Sequence, residues 1–423
     1  MTSIRAQNAS EHPIQHKNKK VLRVITRLNI GGPSIQAVSL TSRLKAFGYN
    51  SLLVHGSRSP GEGDMGYLLA REGVEALKVP DLQRPVNPKR DFDAACQLYR
   101  VLCDFEPDIL HTHTAKAGAL GRLAAVLYNL TRGRRHPVRM VHTYHGHVFD
   151  GYFGKRSTAV FLGLERWLAR WTDRIVAISP RIADEITKRY MIGRSDQVCS
   201  IRLGFDLGPF VGIDDNMCRA ARERLAVPDN TLVVTTVGRL TEIKKHDLFL
   251  EMAQRVFLRR QDVLFFVVGD GELRVKLEAM VRALELKAVV RFLGWRQDLS
   301  TIYAASDLFV LTSRNEGTPV ALIEAMASGV PGISTDVGGV RDVLTSPSVG
   351  SVVPFGDADA LASEALSVLA LDSVERRAMG MRARDVVSKR FTIDRLVREV
   401  AHLYGELIDE ERDSLASLSG EIR

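Results

Sequence analysis

The sequence predicts an α/β protein with two doubly wound parallel sheets. Short, mostly β-branched runs alternate with helical stretches over the first 200 of the 423 residues, and the same alternation starts again near residue 231. Such runs are typical of buried parallel strands, and their alternation with helices is typical of βα units. Between the two series, Gly, Asp and Pro in RLGFDLGPF (202–210) predict a linker near residue 206.

The predicted strands follow in chain order. Those of the first series cover 21–26, 51–55, 108–113, 140–145 and 174–178, and a helix is predicted over 35–47. Those of the second series cover 231–237, 263–268, 290–293, 308–312 and 332–335. Each series is expected to form one sheet, and a cleft between two such domains is a usual ligand site.

The composition is that of a globular protein, with 45% hydrophobic residues. No apolar run approaches the roughly 18 residues that cross a bilayer, and the first twenty residues lack the apolar segment of a secretory signal. A cytosolic protein is therefore expected. The four cysteines form no CxxC pair, which indicates neither a redox centre nor a zinc knuckle.

The net charge of +8 is unevenly distributed, with +13 on residues 1–200 and −5 on the rest. This asymmetry predicts that the first half faces something anionic, although a solvated basic surface is the alternative. The basic clusters are Lys17, Lys19 and Lys20, and Arg132, Arg134 and Arg135.

Loops that follow the strands are the candidate sites, because ligands of open α/β sheets bind outside the carboxyl ends of strands. NIGGPS (29–34) follows the first strand, and Gly31 and Gly32 allow a ligand to approach the backbone at a helix amino end. Turn chemistry alone is the other explanation of this glycine pair.

GRLTEIKKHD (238–247) follows the first strand of the second series. It presents Arg239, Lys244 and Lys245 near the end of the sheet. Converging cations there suit a diphosphate, and a solvated basic loop is the alternative.

SRNEGTPVALIEAMASGVP (313–331) predicts a turn and then a helix that ends at Gly329. Thr318 is expected to cap the helix, with Pro319 as its first residue. The amides near Gly317 and Thr318 are then free to hold a phosphate, while Glu316 reaches a polyhydroxylated group.

Glu324 lies inside that helix beside the apolar Leu322, Ile323 and Met326. A carboxylate in apolar surroundings is costly unless it is paired, and the vicinal diol of a ribose offers two donors. Capping and surface charge explain one glutamate, but not two around a Gly-Thr-Pro turn.

Histidines support a competing interpretation. His111 and His113 point the same way from a strand end, as a zinc pair would, and His142, His145 and His147 follow. Zinc hydrolases with such a pair need an eight-stranded barrel, which two βα series do not provide. His145 is expected instead to face a reacting sugar.

A helix predicted over 156–174 carries one apolar face, formed by Val160, Leu164, Trp167, Leu168 and Trp171. The face fits either a membrane surface or the first sheet. Packing on the sheet is favoured, with any membrane contact made by the basic loop TRGRRH (131–136).

Several stretches together carry a family resemblance. GRLTEIKKHDLFLEMA, VVGDGELR, FLGWRQDL and SRNEGTPVALIEAMASGVPGISTDVGGVRDV occur in that order, and HTYHGH and DRIVAIS precede them. Residues 21–410 thereby resemble retaining glycosyltransferases of family 4, whose GT-B fold has two Rossmann-like domains facing a central cleft. Two departures are Lys245 in place of a usual glycine and RLGFD in place of an asparagine-glycine junction.

The resemblance implies a role for each matching position. Glu316 is expected to contact the donor sugar and Glu324 the ribose, while Arg239 and Lys244 neutralise the leaving diphosphate. The implied catalytic residues are His145, Arg239, Lys244 and Glu316, and the implied donor-binding residues are Gly31, Gly32, Arg239, Lys244, Glu316, Gly317, Thr318 and Glu324.

The implied reaction is transfer of a sugar from a nucleotide-diphosphate sugar, with UDP as the expected nucleotide, to a saccharide or lipid-linked acceptor. Neither a metal, another cofactor nor nucleic acid is expected to take part, and the enzyme is expected at the inner face of the cell membrane, held to anionic lipid. The alternatives are a nucleotide-sugar epimerase on the same fold and a zinc-dependent hydrolase using His111 and His113.

The expected domain organisation has four parts. Residues 1–20 form a disordered extension, 21–205 a Rossmann-like acceptor domain, and 206–395 the nucleotide-sugar domain. Residues 396–423 form a helix that crosses back to the first domain and ends in a frayed tail.

Overall fold

The computed structural model describes residues 18–29, 31–59, 62–132, 137–146 and 155–420. These residues form two parallel sheets with helices between the strands. The predicted fold class is therefore confirmed.

The first sheet has seven strands in the described part of the chain, in the order β3-β2-β1-β4-β5-β6-β7, and all of them are parallel. Its strands are β1 (Lys19–Ile25), β2 (Tyr49–His55), β3 (Ala76–Lys78), β4 (Ile109–His113), β5 (Arg139–Tyr144), β6 (Arg174–Ala177) and β7 (Val198–Ser200).

The second sheet has six described strands in the order β10-β9-β8-β11-β12-β13, again all parallel. Its strands are β8 (Leu232–Val237), β9 (Val263–Val268), β10 (Val290–Gly294), β11 (Leu308–Leu311), β12 (Gly332–Thr335) and β13 (Gly350–Val353).

Helices connect the strands and cover both sheets. The described α-helices are α1 (Gly32–Arg43), α2 (Tyr67–Arg71), α3 (Pro88–Phe105), α4 (Ala115–Thr131), α5 (Lys155–Ala169), α6 (Pro180–Asp184), α7 (Gly208–Val211), α8 (Asp215–Arg224), α9 (His246–Phe257), α10 (Arg274–Ala283), α11 (Leu299–Ala304), α12 (Val320–Ala327), α13 (Val340–Val343), α14 (Ala358–Ala370), α15 (Ser373–Arg390) and α16 (Ile393–Gly420).

The differences from the predicted elements are small and lie mostly at sheet edges. β3, β7 and β13 were not predicted, because runs of three or four residues show no usable periodicity. The helix predicted over 35–47 begins at Gly32 and ends at Arg43, and its last turn, Leu44–Phe47, is a 3₁₀ helix.

The chain crosses between the two sheets twice, and the two crossing segments lie side by side. Phe205 pairs with Thr392 in a parallel bridge, its amide donates to the carbonyl of Phe391, and the amide of Ile393 donates back to its carbonyl. α16 then packs on the first sheet, where Val400, Tyr404 and Leu407 share a core with β1 and β4. The expected domain boundaries remain predictions.

The predicted packing of the α5 face is wrong for three of its five residues. Leu168 is buried, but Val160, Trp167 and Trp171 are exposed. The buried contact includes a polar one, in which Glu165 accepts from Arg122 of α4 (2.6 Å) and from the hydroxyl of Tyr144 (2.5 Å). A charged pair inside the interface was not visible in the apolar pattern.

Helices long and apolar enough to span a bilayer are absent from the described residues.

Candidate active site

A buried glutamate follows β11 at the carboxyl end of the second sheet. Glu316 is 9% exposed, and its Oε1 accepts from the ammonium of Lys244 (2.5 Å) and the hydroxyl of Ser313 (2.6 Å). Its other oxygen, Oε2, has no hydrogen bond to any described residue. The cation orients the carboxylate, and one oxygen remains for a ligand.

Two glycines after β12 support the Glu316 loop, a role that was not predicted. A Cβ at Gly338 would overlap the carbonyl oxygen of Glu316, and one at Gly339 would overlap that of Gly317. The amide of Gly339 donates to the carbonyl of Glu316 (3.2 Å). The DVGG motif was the available signal, because paired glycines after a strand favour close backbone approach.

The amino end of α12 differs from the prediction. The helix begins at Val320, and the carbonyl of Pro319 accepts its first hydrogen bond, from Ile323 (3.1 Å). Pro319 is therefore the cap residue, and the expected cap by the Thr318 side chain is wrong. The helix ends as predicted, before Gly329 with its φ of 80°.

Glu324 lies on α12 beside the hydroxyl of Tyr303, which donates to its Oε2 (3.2 Å). Burial raises the pKa of Glu324 to about 7, and the Tyr303 hydrogen bond lowers it only in part. The described residues include no cation paired with this carboxyl group. The charged form of Glu324 therefore needs a further hydrogen-bond donor to stabilise it.

Two of the expected cations in the loop after β8, Lys244 and Arg239, differ in their contacts. The stem of Lys244 covers Gly238, and its ammonium is held by Glu316. Arg239 is exposed, and its side chain has no hydrogen bond or ion pair within the described ranges. One cation is thus fixed in position, while the other is available to an anion.

Lys245 takes the left-handed backbone conformation at φ 50°, ψ 48°. A glycine would take this conformation without strain, whereas a side chain there is disfavoured. Two contacts hold the loop. The ammonium of Lys245 pairs with Asp247 (2.6 Å), and the hydroxyl of Thr312 donates to the carbonyl of Lys245 (2.9 Å).

His145 follows β5 and meets the Glu316 loop from the first sheet. A Cβ at Gly317 would lie 2.8 Å from the carbonyl oxygen of His145, so only glycine fits there without a shift. Residues from both halves therefore meet beside Glu316, as the cleft prediction requires.

Two of the other strand-end histidines, His111 and His113, are bound to an arginine. Nη1 of Arg23 lies 3.1 Å from Nδ1 of His111 and 3.2 Å from Nε2 of His113. The expected zinc pair therefore faces a permanent cation, which repels a metal ion. Among the described residues, no group of three or more metal-ligating side chains is found. His147 lies outside them.

Gly31 and Gly32 form the amino end of α1, with φ 153° at Gly31. The atom nearest a Cβ at Gly32 belongs to Leu203, 3.0 Å away, and the amide of Gly31 donates to the sulfur of Met65 (3.3 Å). These contacts do not involve the Glu316 loop.

Two residues of the first basic cluster differ from the prediction. Lys19 forms an ion pair with Asp108 (2.7 Å), and the ammonium of Lys20 donates to the carbonyl of Phe105 (3.0 Å). Both are therefore structural contacts of β1. Arg132 is exposed, whereas Lys17, Arg134 and Arg135 lie outside the described residues.

Two parallel sheets with a glutamate, lysine and glycine loop between them are typical of GT-B glycosyltransferases. Sequence models agree with this class: "Glycosyltransferase Family 4" matches residues 30–208, and "Glycosyl transferases group 1" matches residues 219–386. The chain belongs to glycosyltransferase family 4, whose members are retaining enzymes that use nucleotide sugars.

Two bacterial relatives illustrate this similarity. The chain is 30% identical, over 80% of its length and 85% of the other protein, to the Escherichia coli UDP-Gal:alpha-D-GlcNAc-diphosphoundecaprenol alpha-1,3-galactosyltransferase. It is 25% identical, over 79% of its length and 86% of the other protein, to the putative glycosyltransferase EpsD of Bacillus subtilis.

A solved structure shares the fold. Anabaena HepE in complex with UDP has a TM-score of 0.78 at 20% identity, covering 92% of this chain and 100% of HepE.

Proposed function

We propose that the chain transfers a sugar from a UDP-sugar to a hydroxyl of a lipid-linked saccharide in cell-surface polysaccharide synthesis. The observation that carries this proposal is the Glu316 loop, where a lysine-held carboxylate adjoins the glycine that packs on His145. The name of the Escherichia coli relative specifies UDP-Gal and a diphosphoundecaprenol-linked acceptor, and HepE has been crystallised with UDP-glucose.

In this proposal the second half, 206–395, binds the donor. Oε2 of Glu316 accepts from hydroxyls of the sugar, and Glu324 accepts from the ribose diol. The amides of Gly317 and Thr318 donate to the diphosphate. Each group complements its ligand. The carboxylates accept from the hydroxyl donors of the sugars, and the amides donate to the diphosphate, which offers only acceptors.

The first half, 21–205, presents the acceptor and closes over the donor through Gly31 and Gly32. His145 meets the sugar from this side. Closure expels water, which otherwise competes with the acceptor hydroxyl for the sugar.

The bond changes need no other reactant. The acceptor hydroxyl oxygen bonds to the anomeric carbon, the bond from that carbon to the diphosphate oxygen breaks, and the hydroxyl proton passes to the departing oxygen. Attack on the face that the diphosphate leaves retains the anomeric configuration. Arg239 and Lys244 stabilise the charge that grows on the leaving group.

Donor and acceptor panels test this function. Incubation with UDP-, GDP- and ADP-sugars, with and without an undecaprenyl-diphosphate-linked saccharide, should extend the lipid only with a UDP-sugar. Formation of a new nucleotide sugar without an acceptor would identify the epimerase alternative instead.

We propose that the cations and the helix amino end replace a metal ion at the diphosphate. Transfer should then persist in EDTA at a rate close to that of the untreated enzyme. Complete inactivation that zinc reverses would restore the hydrolase alternative.

We further propose that the enzyme binds the inner face of the cell membrane through a tryptophan pair, Trp167 and Trp171. The pair is 39% and 43% exposed, and its ring centroids lie 6.4 Å apart. Indole rings favour the lipid headgroup region, and the exposed Arg166 and Arg170 beside them favour anionic lipid.

Sedimentation with vesicles tests the membrane surface. The protein should bind phosphatidylglycerol vesicles and not neutral ones, and high salt should weaken the binding. Trp167→Ala with Trp171→Ala, and separately alanine at Arg132, Arg134 and Arg135, should each reduce it, whereas Trp295→Ala, at a 53% exposed position in the second half, should not. No binding to either vesicle contradicts the membrane proposal and leaves glycosyl transfer intact.

A further inference from the structure

Arg23 is a fully buried arginine in the middle of β1. No carboxylate lies within ion-pair distance of it in the described ranges. Its guanidinium donates instead to Thr41 (3.2 Å), His111, His113 and the hydroxyl of Tyr404 (3.3 Å). A buried cation without an anion is stable only where acceptor lone pairs surround it.

The strand register explains why these groups meet. Arg23 lies opposite His111 on the neighbouring strand β4, and His113 is two residues further along the same face. Thr143 on β5 is opposite His113. α16 covers this face of the sheet and adds Tyr404.

A guanidinium donates hydrogen bonds and cannot accept them, so it fixes the protonation of its neighbours. Nε2 of His113 accepts from Arg23, and the proton of a neutral His113 is therefore on Nδ1. That Nδ1 lies 3.0 Å from Nε2 of His145. His145 Nε2 must accept this bond, which places the proton of a neutral His145 on Nδ1.

His111 obeys the same rule. Its Nδ1 accepts from Arg23 and from the Tyr404 hydroxyl (2.6 Å), which leaves Nε2–H to donate to Thr143 (2.7 Å). The network therefore closes with each group used in one consistent direction. Nδ1 of His145 is the exception, because it is buried and has no partner among the described residues.

We propose that Arg23 and His113 are positioning residues that hold His145 as its Nδ1–H tautomer, a neutral hydrogen-bond donor for an oxygen of the substrate. The inference rests on the proposed function for the use of that donor, but the tautomer itself is a property of the free enzyme. Tyr404 completes the network from α16 and orients Arg23.

Burial keeps these imidazoles neutral. It lowers the pKa of His145 to about 3 and that of His113 well below its ordinary value, where the neighbouring His111 and His145 add to the effect. In a neutral histidine one nitrogen donates and the other accepts. The hydrogen bonds from Arg23 to His113 and from His113 to His145 then determine which tautomer His145 adopts.

Nitrogen NMR of the free full-length protein tests the tautomer without a substrate. With ¹⁵N-histidine labelling, the His145 signals, assigned through their loss in His145→Gln, should show a protonated Nδ1 and an unprotonated Nε2 at pH 7.5. A protonated Nε2, or a doubly protonated ring, overturns the proposal.

Two substitutions test the origin of the tautomer. His113→Leu and Arg23→Met should both shift His145 towards a mixture of tautomers, and His113→Asn, whose amide can still donate, should restore the Nδ1–H form. An unchanged Nδ1–H form in a folded His113→Leu protein overturns the proposal, even if Arg23→Met does not fold. His142→Gln is the matched control, because His142 is buried on the opposite face of β5 and bonds Thr112 (2.8 Å), so it should leave the His145 signals unchanged.

Turnover supplies a second measurement. His113→Leu should lower kcat/KM for the donor sugar about 10- to 100-fold, the loss expected for one well-placed hydrogen bond in the transition state. His113→Asn should recover most of it. Failure of the NMR result with normal transfer refutes the tautomer inference alone, whereas the correct tautomer in a protein without transfer refutes the proposed function.

Discussion

Glu324 is a carboxyl group whose pKa burial raises to about 7. A ribose diol that donates to the carboxylate favours the charged form. Nucleotide binding should therefore release protons near pH 7, and affinity should fall as the pH drops below the pKa. Calorimetry in buffers of different ionisation enthalpy measures the release.

Glu324→Gln provides the matched control. It should weaken nucleotide-sugar binding by about 1 to 3 kcal/mol, the range for a hydrogen bond to a charged group, and abolish the proton release. Unchanged affinity and unchanged release would remove Glu324 from the ribose site.

Arg239 and Lys244, the two cations after β8, should contribute to turnover to different extents. Arg239→Ala and Lys244→Ala should both lower turnover more than donor affinity, because charge on the leaving group grows towards the transition state. Lys244→Ala should have the larger effect, since it also leaves Glu316 with only the Ser313 hydroxyl. Single-turnover rates within about threefold of wild type for both variants would contradict this role.

At the level of the elements, the Glu316 loop depends on the backbone of the turn after β12. Gly338→Ala introduces a methyl group where the Glu316 carbonyl lies, at a φ of 49°. The loop must move, and donor turnover should fall by about 100-fold or more, since a displacement of 1 Å at a reacting group has that effect. Steady-state kinetics with a UDP-sugar measure the change.

Gly73→Ala is the control for backbone conformation. Gly73 has a similar φ of 61° but no atom within 4 Å of the added methyl group. Both variants incur about 1 kcal/mol of backbone strain, but only Gly338→Ala should lose activity. Equal activity in the two variants would show that the turn does not position Glu316.

The repeated elements were predictable because each leaves a local signal. The strands of both sheets are apolar runs, and the Glu316 loop carries its own turn and glycine pattern. Short edge strands leave no such signal. The partner of Lys244 could not be predicted either, since its 72-residue separation from Glu316 is closed only by the sheet.

The Arg23 network could be predicted only in part from the sequence. An arginine inside the apolar run VLRVI was the available signal at one end. Tyr404, at the other end, has an ordinary helical position, and its contact with His111 depends on α16 crossing to the first sheet. Long-range packing of this kind is determined by the whole fold and is not visible in local periodicity.

At the scale of the molecule, acid should unfold the first sheet before the second. His111, His113 and His142 are buried, and burial lowers the pKa of each well below its ordinary value. The unfolded chain binds protons at these groups below about pH 6.5, whereas the folded one does not. Each therefore lowers the stability of the folded chain as the pH falls below about 6.5.

Urea unfolding at pH 7.5, 6 and 5, with hydrogen exchange to separate the two sheets, measures this loss. The loss should be measurable because an ordinary domain is only marginally stable. His142→Gln should give a shallower dependence of stability on pH, because it removes one of these groups. Equal stability at pH 7.5 and pH 5 would contradict the prediction.

The crossing of α16 also determines when the first half can finish folding during translation. Tyr404 is synthesised 381 residues after Arg23, which at about 5 to 20 residues per second is a delay of roughly 20 to 75 s. Throughout that interval a nascent chain on the ribosome holds an arginine and an apolar sheet face without the helix that covers them. The first half is therefore expected to stay incompletely folded until the end of the chain is made, although it is synthesised first.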